Sequence, residues 1–149
     1  MNMEQRGEAL MNKPLYVVDF LPEQVPEHSR GQFFAVEEYF LDEEEDRRLF
    51  RRFLRILLKL NCYYDFTVDR DGVERKNPSP KKLKKWVRAC REGEQEYLRV
   101  FLNDGETMLS LHTGELCMGV FNPDEHLRAL LEQLAAAEGL HFWQNHKWL

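Results

Sequence analysis

The chain has 149 residues, a net charge of −5, 43% apolar residues and ten phenylalanines, which is material for one hydrophobic core and argues against wholesale disorder or a fibrous repeat. Its three cysteines, Cys62, Cys90 and Cys117, are too few and too widely spaced for a disulfide framework or a paired zinc site, so they are expected as reduced thiols of a cytoplasmic protein with no metal and no cofactor. The longest run of Leu, Ile and Val is Ile56-Leu57-Leu58, and the N-terminus holds no apolar stretch of signal-peptide length, which argues against membrane spanning, a membrane partner or standard secretion.

Residues 1–12 are polar and read as a flexible, solvated tail, leaving 13–149 as a single α+β domain. PLYVVDFL (14–21) is β-branched or aromatic on both alternating sets, as a strand covered on two faces would be. After a loop with Pro22 and Pro26, QFFAVEEYFL (32–41) reads as a second strand with Phe34, Val36 and Phe40 on one face. The acids 42–46 then lead into a helix near 43–60, in which Leu49, Phe53, Ile56, Leu57 and Leu60 recur at helical spacing and the acids meet the positive end of the helix dipole. CYYDFTV (62–68) reads as a strand, and DRDGVERKNPSP (69–80) as turn.

Ser79 followed by Pro80 is an N-cap and first-turn proline, and Leu83, Trp86, Val87 and Cys90 give the apolar stripe of a helix over 80–92. Three strands follow between Tyr97 and Phe121, joined at Asp104-Gly105 and Thr113-Gly114. Asn122, Pro123 and Glu125 open a helix over 123–138 with the stripe Leu127, Leu130, Leu131 and Leu134, closed by Gly139, and LHFW makes a last strand. The order ββαβαβββαβ predicts a two-layer α+β sandwich, three helices on one side of a mainly antiparallel sheet.

Two-residue turns at both hairpins would align Leu98, Leu111 and Leu116 on the core face, with Val100, Leu109 and Met118 in the next row. The opposite face then carries Tyr97, Arg99, Ser110, His112, Glu115 and Cys117 at its polar end, a candidate binding surface. In that register Cys117 lies diagonal to His112, too far for a thiolate and its base, and no catalytic residue is assigned.

Charge is segregated. Residues 47–91 hold 15 of the 21 basic residues and four of the 26 acids, a net of +11, which leaves −16 on the remainder. Arg48, Arg51, Arg52, Arg55 and Lys59 form a ridge on the first long helix, and Lys81, Lys82, Lys84 and Lys85 crowd the first turns of the next, where the dipole disfavours them. Arg48, Arg51, Arg52, Lys81, Lys82, Lys84 and Lys85 are therefore candidate polyanion contacts. No phosphate loop, dinucleotide turn, nucleophile elbow or HExxH helix occurs, and His126, His141 and His146 fit no metal spacing. Phe142, Trp143 and Trp148 are expected to pack or to anchor an interface.

Three functions are compatible with this pattern. The first is a non-enzymatic binding domain whose partner is another protein, an immunity or antitoxin-type inhibitor being one concrete form. The second is binding of nucleic acid or another polyanion through 47–91, and the third is a small enzyme with its site on the polar sheet face.

Overall fold

The computed structural model describes residues 2–146, so Trp148 lies outside the described residues. Its sheet is built from β1 (Leu15–Asp19), β2 (Thr67–Arg70), β3 (Val73–Lys76), β4 (Tyr97–Leu102), β5 (Thr107–His112), β6 (Met118–Phe121) and β7 (His141–Asn145). All neighbours are antiparallel, in the order β3-β2-β4-β5-β6-β1-β7. The helices are α1 (Met3–Leu10), α2 (Arg30–Phe40), α3 (Glu43–Asn61), α4 (Pro80–Arg91) and α5 (Glu125–Ala137), with a short 3-10 turn at Glu27–Ser29. No helix among the described residues is long and apolar enough to cross a membrane.

The three expected helices α3, α4 and α5 are present, and their stripes share one core with the sheet. Phe53, Ile56, Leu57 and Leu60 of α3 meet Leu83 and Cys90 of α4 and Leu127 and Leu131 of α5, over Val68, Leu98, Leu109, Met118 and Val120 of the strands. Ser79 caps α4 by accepting from Lys82 N, and Asp124, not Asn122, caps α5 by accepting from Leu127 N.

Two further helices change the layering. Residues 1–12, expected as a tail, carry α1, opened by a reciprocal capping box in which Asn2 Oδ1 accepts from Gln5 N at 2.8 Å and Gln5 Oε1 from Asn2 N at 3.0 Å. It packs on the opposite face of the sheet, where Leu10, Phe101 and Met108 form a second small core with Met3 and Phe121 alongside. The molecule is thus not a two-layer sandwich with three helices.

The segment 32–41, expected as a strand, is helix α2. Its half-buried residues are Phe33, Glu37 and Phe40, spaced four and three apart, which is the helical period, whereas the alternating Phe34 and Val36 are exposed. α2 lies across the end of the sheet, with Phe40 against Phe20 at 4.7 Å and Phe33 over the opposite face.

The other corrections are local. The strand expected over 62–68 begins at Thr67, and residues 73–76 of the expected turn form β3, an edge strand paired to β2 through Asp71-Gly72, whose φ angles are 46° and 91°. β3 escapes the pattern because all four of its residues are exposed and three are charged, as suits a sheet edge. Around Asp104-Gly105 the register is the expected one, Leu98 opposite Leu111 and Val100 opposite Leu109. The β5–β6 connection is longer than two residues, however, and sets Leu109 opposite Val120 and Ser110 opposite Gly119. A slip of two residues keeps every side chain on its face, so Cys117 stays beside the polar set while Glu115 leaves the sheet for the loop.

Candidate functional site

The face opposite the three-helix layer is neither flat nor fully covered. α1 lies over Phe101 and Met108, close enough that a Cβ on Gly7 would come within 3.2 Å of Arg99 Nη1. Beyond the end of α1 the sheet is open, and a cleft of about 750 Å³ remains between Met11, Asn12 and Lys13 on one side and Phe33 of α2 on the other. It is also lined by Ser110 and His112 of β5, Gly119 and Phe121 of β6, Leu15 and Val17 of β1 and Asn145 of β7, with Glu115 and Cys117 from the β5–β6 connection.

Four of the six residues expected on this face, Ser110, His112, Glu115 and Cys117, line the cleft. Tyr97 and Arg99 stand one strand away, their side chains stacked with the guanidinium 4.5 Å from the ring centroid, and Tyr97 also approaches His112 at 6.2 Å between rings. Leu15, Val17, Phe33 and Asn145 were not foreseen. They reach the cleft because β1 inserts between β6 and β7 and because 30–40 is helical, neither of which leaves a local mark in the sequence.

Ser110 is 4% exposed and its hydroxyl has no hydrogen-bond partner among the described residues. Directly across from it on β4, Arg99 Nε is buried and equally unpartnered. Cys117 continues the row of His112. Burial pushes its thiol up to about 12, with the acids Asp19, Glu115 and Glu37 adding to the rise, so it is a neutral thiol at physiological pH and not a thiolate nucleophile. Asp19, at the end of β1, is itself raised to about 6 by burial, against the pull of the Phe20 and Leu21 amides and of His141. Among the described residues no group of three or more His, Cys, Asp or Glu side chains is placed to hold a metal ion.

The basic candidates do not form one surface. α3 and α4 pack side by side, and a groove of about 350 Å³ between them is lined by the apolar Phe50, Leu54 and Val87, by Arg47, Arg51, Lys84, Arg88 and Arg91, and by one acid, Glu92. Arg51 and Lys84 are thus brought together. Arg48 is instead held by Glu44 at 2.8 Å and Glu45 at 3.2 Å, and Arg52 lies toward Gly139 after α5. Lys81, Lys82 and Lys85 are exposed on α4. Part of the basic segment is neutralised internally: Arg55 and Lys59 of the ridge both contact Glu138, at 2.9 and 3.1 Å, Arg47 contacts Glu43, and Arg91 of α4 contacts Glu92. Among the described residues no ion pair reaches Arg51, Lys84 or Arg88.

A third feature is α2. Of the seven large apolar side chains that are exposed among the described residues, Phe34, Val36, Tyr39 and Leu41 fall on this helix or its C-cap, with Phe34 57% and Tyr39 62% exposed. Phe142 stacks on Tyr16 and Trp143 Nε1 donates to Leu21 O at 3.0 Å, so both of these late aromatics pack within the molecule.

Comparison of the chain with models of known families, with curated proteins and with solved structures finds no match in any of the three.

Proposed function

We propose that the protein is a non-enzymatic binding domain of the cytoplasm and that its partner is another protein, engaged through α2. The observation that carries this reading is that α2 carries large apolar side chains on both of its flanks yet is seated on one side only. Phe33 and Phe40 turn inward, while Phe34 on one flank and Val36 and Tyr39 on the other meet solvent. A helix of that kind is stable in water when more than one side is covered. Clustered exposed aromatics are a feature of interface centres, whereas isolated exposed apolar residues are ordinary.

The chemistry of the partner follows from what surrounds the patch. Glu37, Glu38, Asp42, Glu43 and Glu44 lie on or just after α2, in the acidic part of the chain. The partner is therefore a protein with an apolar depression rimmed by Lys and Arg, and blocking such a surface is how an immunity or antitoxin-type inhibitor would act. A photo-reactive residue placed at Tyr39 should give one discrete cross-linked adduct in cells, which Phe34→Glu removes. Adducts that are absent, or identical to those from a probe at Val73 on the far edge strand, would count against the reading.

The α3–α4 groove favours a second reading, polyanion binding, because Arg51, Lys84 and Arg88 converge there. Its signature is separate: affinity for a single-stranded RNA oligomer should fall steeply with salt through counterion release, and Lys84→Glu with Arg88→Glu should abolish it while Phe34→Glu leaves it intact.

A further inference from the structure

We propose that the pocket between β7, the start of α2 and the loop after β1 receives an arginine side chain of the partner protein, an inference that rests on the α2 reading for the partner and on the pocket alone for the chemistry. The pocket measures about 500 Å³, within the range of sites that enclose a small group. Phe34 belongs both to its lining and to the exposed patch of α2.

Three aromatic residues line the pocket: Phe33 and Phe34, whose rings stand 5.9 Å apart at 51°, and Trp143. Trp143 lies opposite Val17 in the β1–β7 pair, on the sheet face that Asp19 shares, and its Nε1 donates to Leu21 O at 3.0 Å, which holds the indole in place. The faces of such rings carry negative charge density and attract a cation within about 6 Å of the centroid.

The charge of the lining has the same sense. Asp19, Glu23 and Glu27 stand against the single guanidinium of Arg30, which is exposed. Among the described residues no Lys, Arg or His nitrogen comes within 4.0 Å of those three carboxylates. Asp19 accepts from Phe20 N at 2.8 Å and is also drawn on by the Leu21 amide, and since a carboxylate offers about four acceptor sites, part of its capacity is unused. Burial above all, and Glu37 in the same direction, push the Asp19 carboxyl up, although His141 opposite it on β7 acts the other way. Its ionised form is thus disfavoured where it lies, and a cation entering the pocket offsets that. A guanidinium suits both parts of the lining. Its plane stacks on aromatic faces, its fork donates in pairs to a carboxylate, and it is more weakly hydrated than the compact ammonium of lysine.

The test uses the full chain with Nα-acetyl-arginine amide as the probe, its uncharged citrulline isostere and the lysine analogue as comparisons, and the Trp143 indole and backbone amide shifts as the readout. The arginine probe should move the Trp143 indole and the amides of Asp19 and Phe33. It should bind about tenfold or more tightly than the citrulline probe, as expected for charged hydrogen bonds, and more tightly than the lysine probe. Asp19→Asn should weaken it about tenfold or more, and Phe34→Leu about two- to tenfold through the loss of one cation–π contact. Glu38→Gln, on α2 but outside the pocket lining, should leave it unchanged. If Asp19→Asn does not fold, Phe34→Leu and the citrulline probe carry the comparison. Equal affinity for arginine and citrulline, tighter binding of lysine, or no shift at about 10 mM probe, the weak limit of specific binding, overturns the proposal. Equal losses from Asp19→Asn and Glu38→Gln overturn it too, since they mark a diffuse attraction to the acidic surface. A Tyr39 adduct in cells whose yield ignores Asp19→Asn removes the pocket and keeps the α2 interface, whereas specific arginine binding with no Tyr39 adduct upholds the pocket chemistry and overturns the partner reading alone.

Discussion

Asp19 is the residue whose environment makes the most direct statement about stability. Burial raises its carboxyl from 3.8 to about 6, and the amide of Phe20, which donates to Asp19 Oδ1 at 2.8 Å, only partly offsets that. The folded state therefore holds the proton more tightly than the unfolded chain between those two values, and stability falls as pH rises through this window and is level above it. The loss amounts to about 3 kcal/mol at most. Asp19→Asn keeps an acceptor for the Phe20 amide and removes the charge. Its urea midpoint should exceed that of the parent at neutral pH and lose this component of the decline between about pH 4 and 6. A variant less stable than the parent at neutral pH would mean that the ionised carboxylate is favoured where it lies.

A different residue anchors the chain between α3 and α4. Asn77, at a φ of 41°, accepts from Phe66 N at 2.7 Å and from Asn61 Nδ2 at 3.2 Å, donates to Asp65 Oδ1 at 3.1 Å, and its own amide donates to Phe66 O. Asparagine tolerates the left-handed backbone better than most residues. Asn77→Ala should cost about 1–3 kcal/mol in a urea melt through the orphaned Phe66 amide and the strained backbone, and a change under about 0.5 would show that the loop rearranges freely.

At the scale of elements, what the sequence made legible is what periodicity and caps encode. α3, α4 and α5 were readable because each has an apolar stripe, opened by a cap in α4 and α5 and by a run of acids in α3, and β1 was readable as a strand covered on two faces because Val18 joins the three-helix core while Val17, pointing the other way, is buried too. α2 was not, since Phe34 and Val36 imitate strand alternation although they face solvent; an exposed aromatic run defeats any reading that takes apolar to mean inward. α1 was passed over despite the spacing of Asn2 and Gln5, a capping-box signal that its polar composition masked. The stripe of α5 also needs grading. Leu131 is fully buried while Leu130 is only half-buried, so Leu131→Ala should cost about 2–5 kcal/mol, Leu130→Ala clearly less, and Arg51→Ala or Lys84→Ala about 0.5 or less. Equal effects at all four positions would place the core elsewhere.

At the scale of the molecule, alternation shows which face a residue takes but not which strand lies beside it. The polar face of β4 and β5 was therefore legible, with its correct members, while the walls of the cleft were not. β1 comes from the start of the chain and β7 from its end, and they complete the floor only because the strand order joins them. The same separation explains the charge pattern. The net +11 of 47–91 is balanced in part by Glu138 on Arg55 and Lys59, a residue about 80 positions away that no local window includes.

The two cores also differ in size, and that difference should appear in the dynamics. Strands and three helices share the larger core, so α3 and β5 cannot open without exposing most of it. α1 rests on Leu10, Phe101 and Met108 alone, with Met3 and Phe121 at the margin, and its ties to the sheet include a 3.3 Å hydrogen bond from Arg6 Nη1 to Gly105 O. Few buried apolar contacts mean a low free energy of local opening. In native-state hydrogen exchange the amides of the last turn of α1 should exchange through a sub-global opening, with little dependence on denaturant, while those of Phe53, Ile56 and Leu109 exchange only by global unfolding. Leu10→Ala should reduce protection in α1 by a factor corresponding to about 2 kcal/mol or more, since it truncates a buried leucine, with a smaller shift in the global unfolding midpoint. Because Met11 to Lys13, which follow α1 directly, line the cleft, the same opening would widen it. Amides of α1 that exchange at the same free energy as those of α3 would show instead that the molecule is one cooperative unit and that the cleft has a fixed wall.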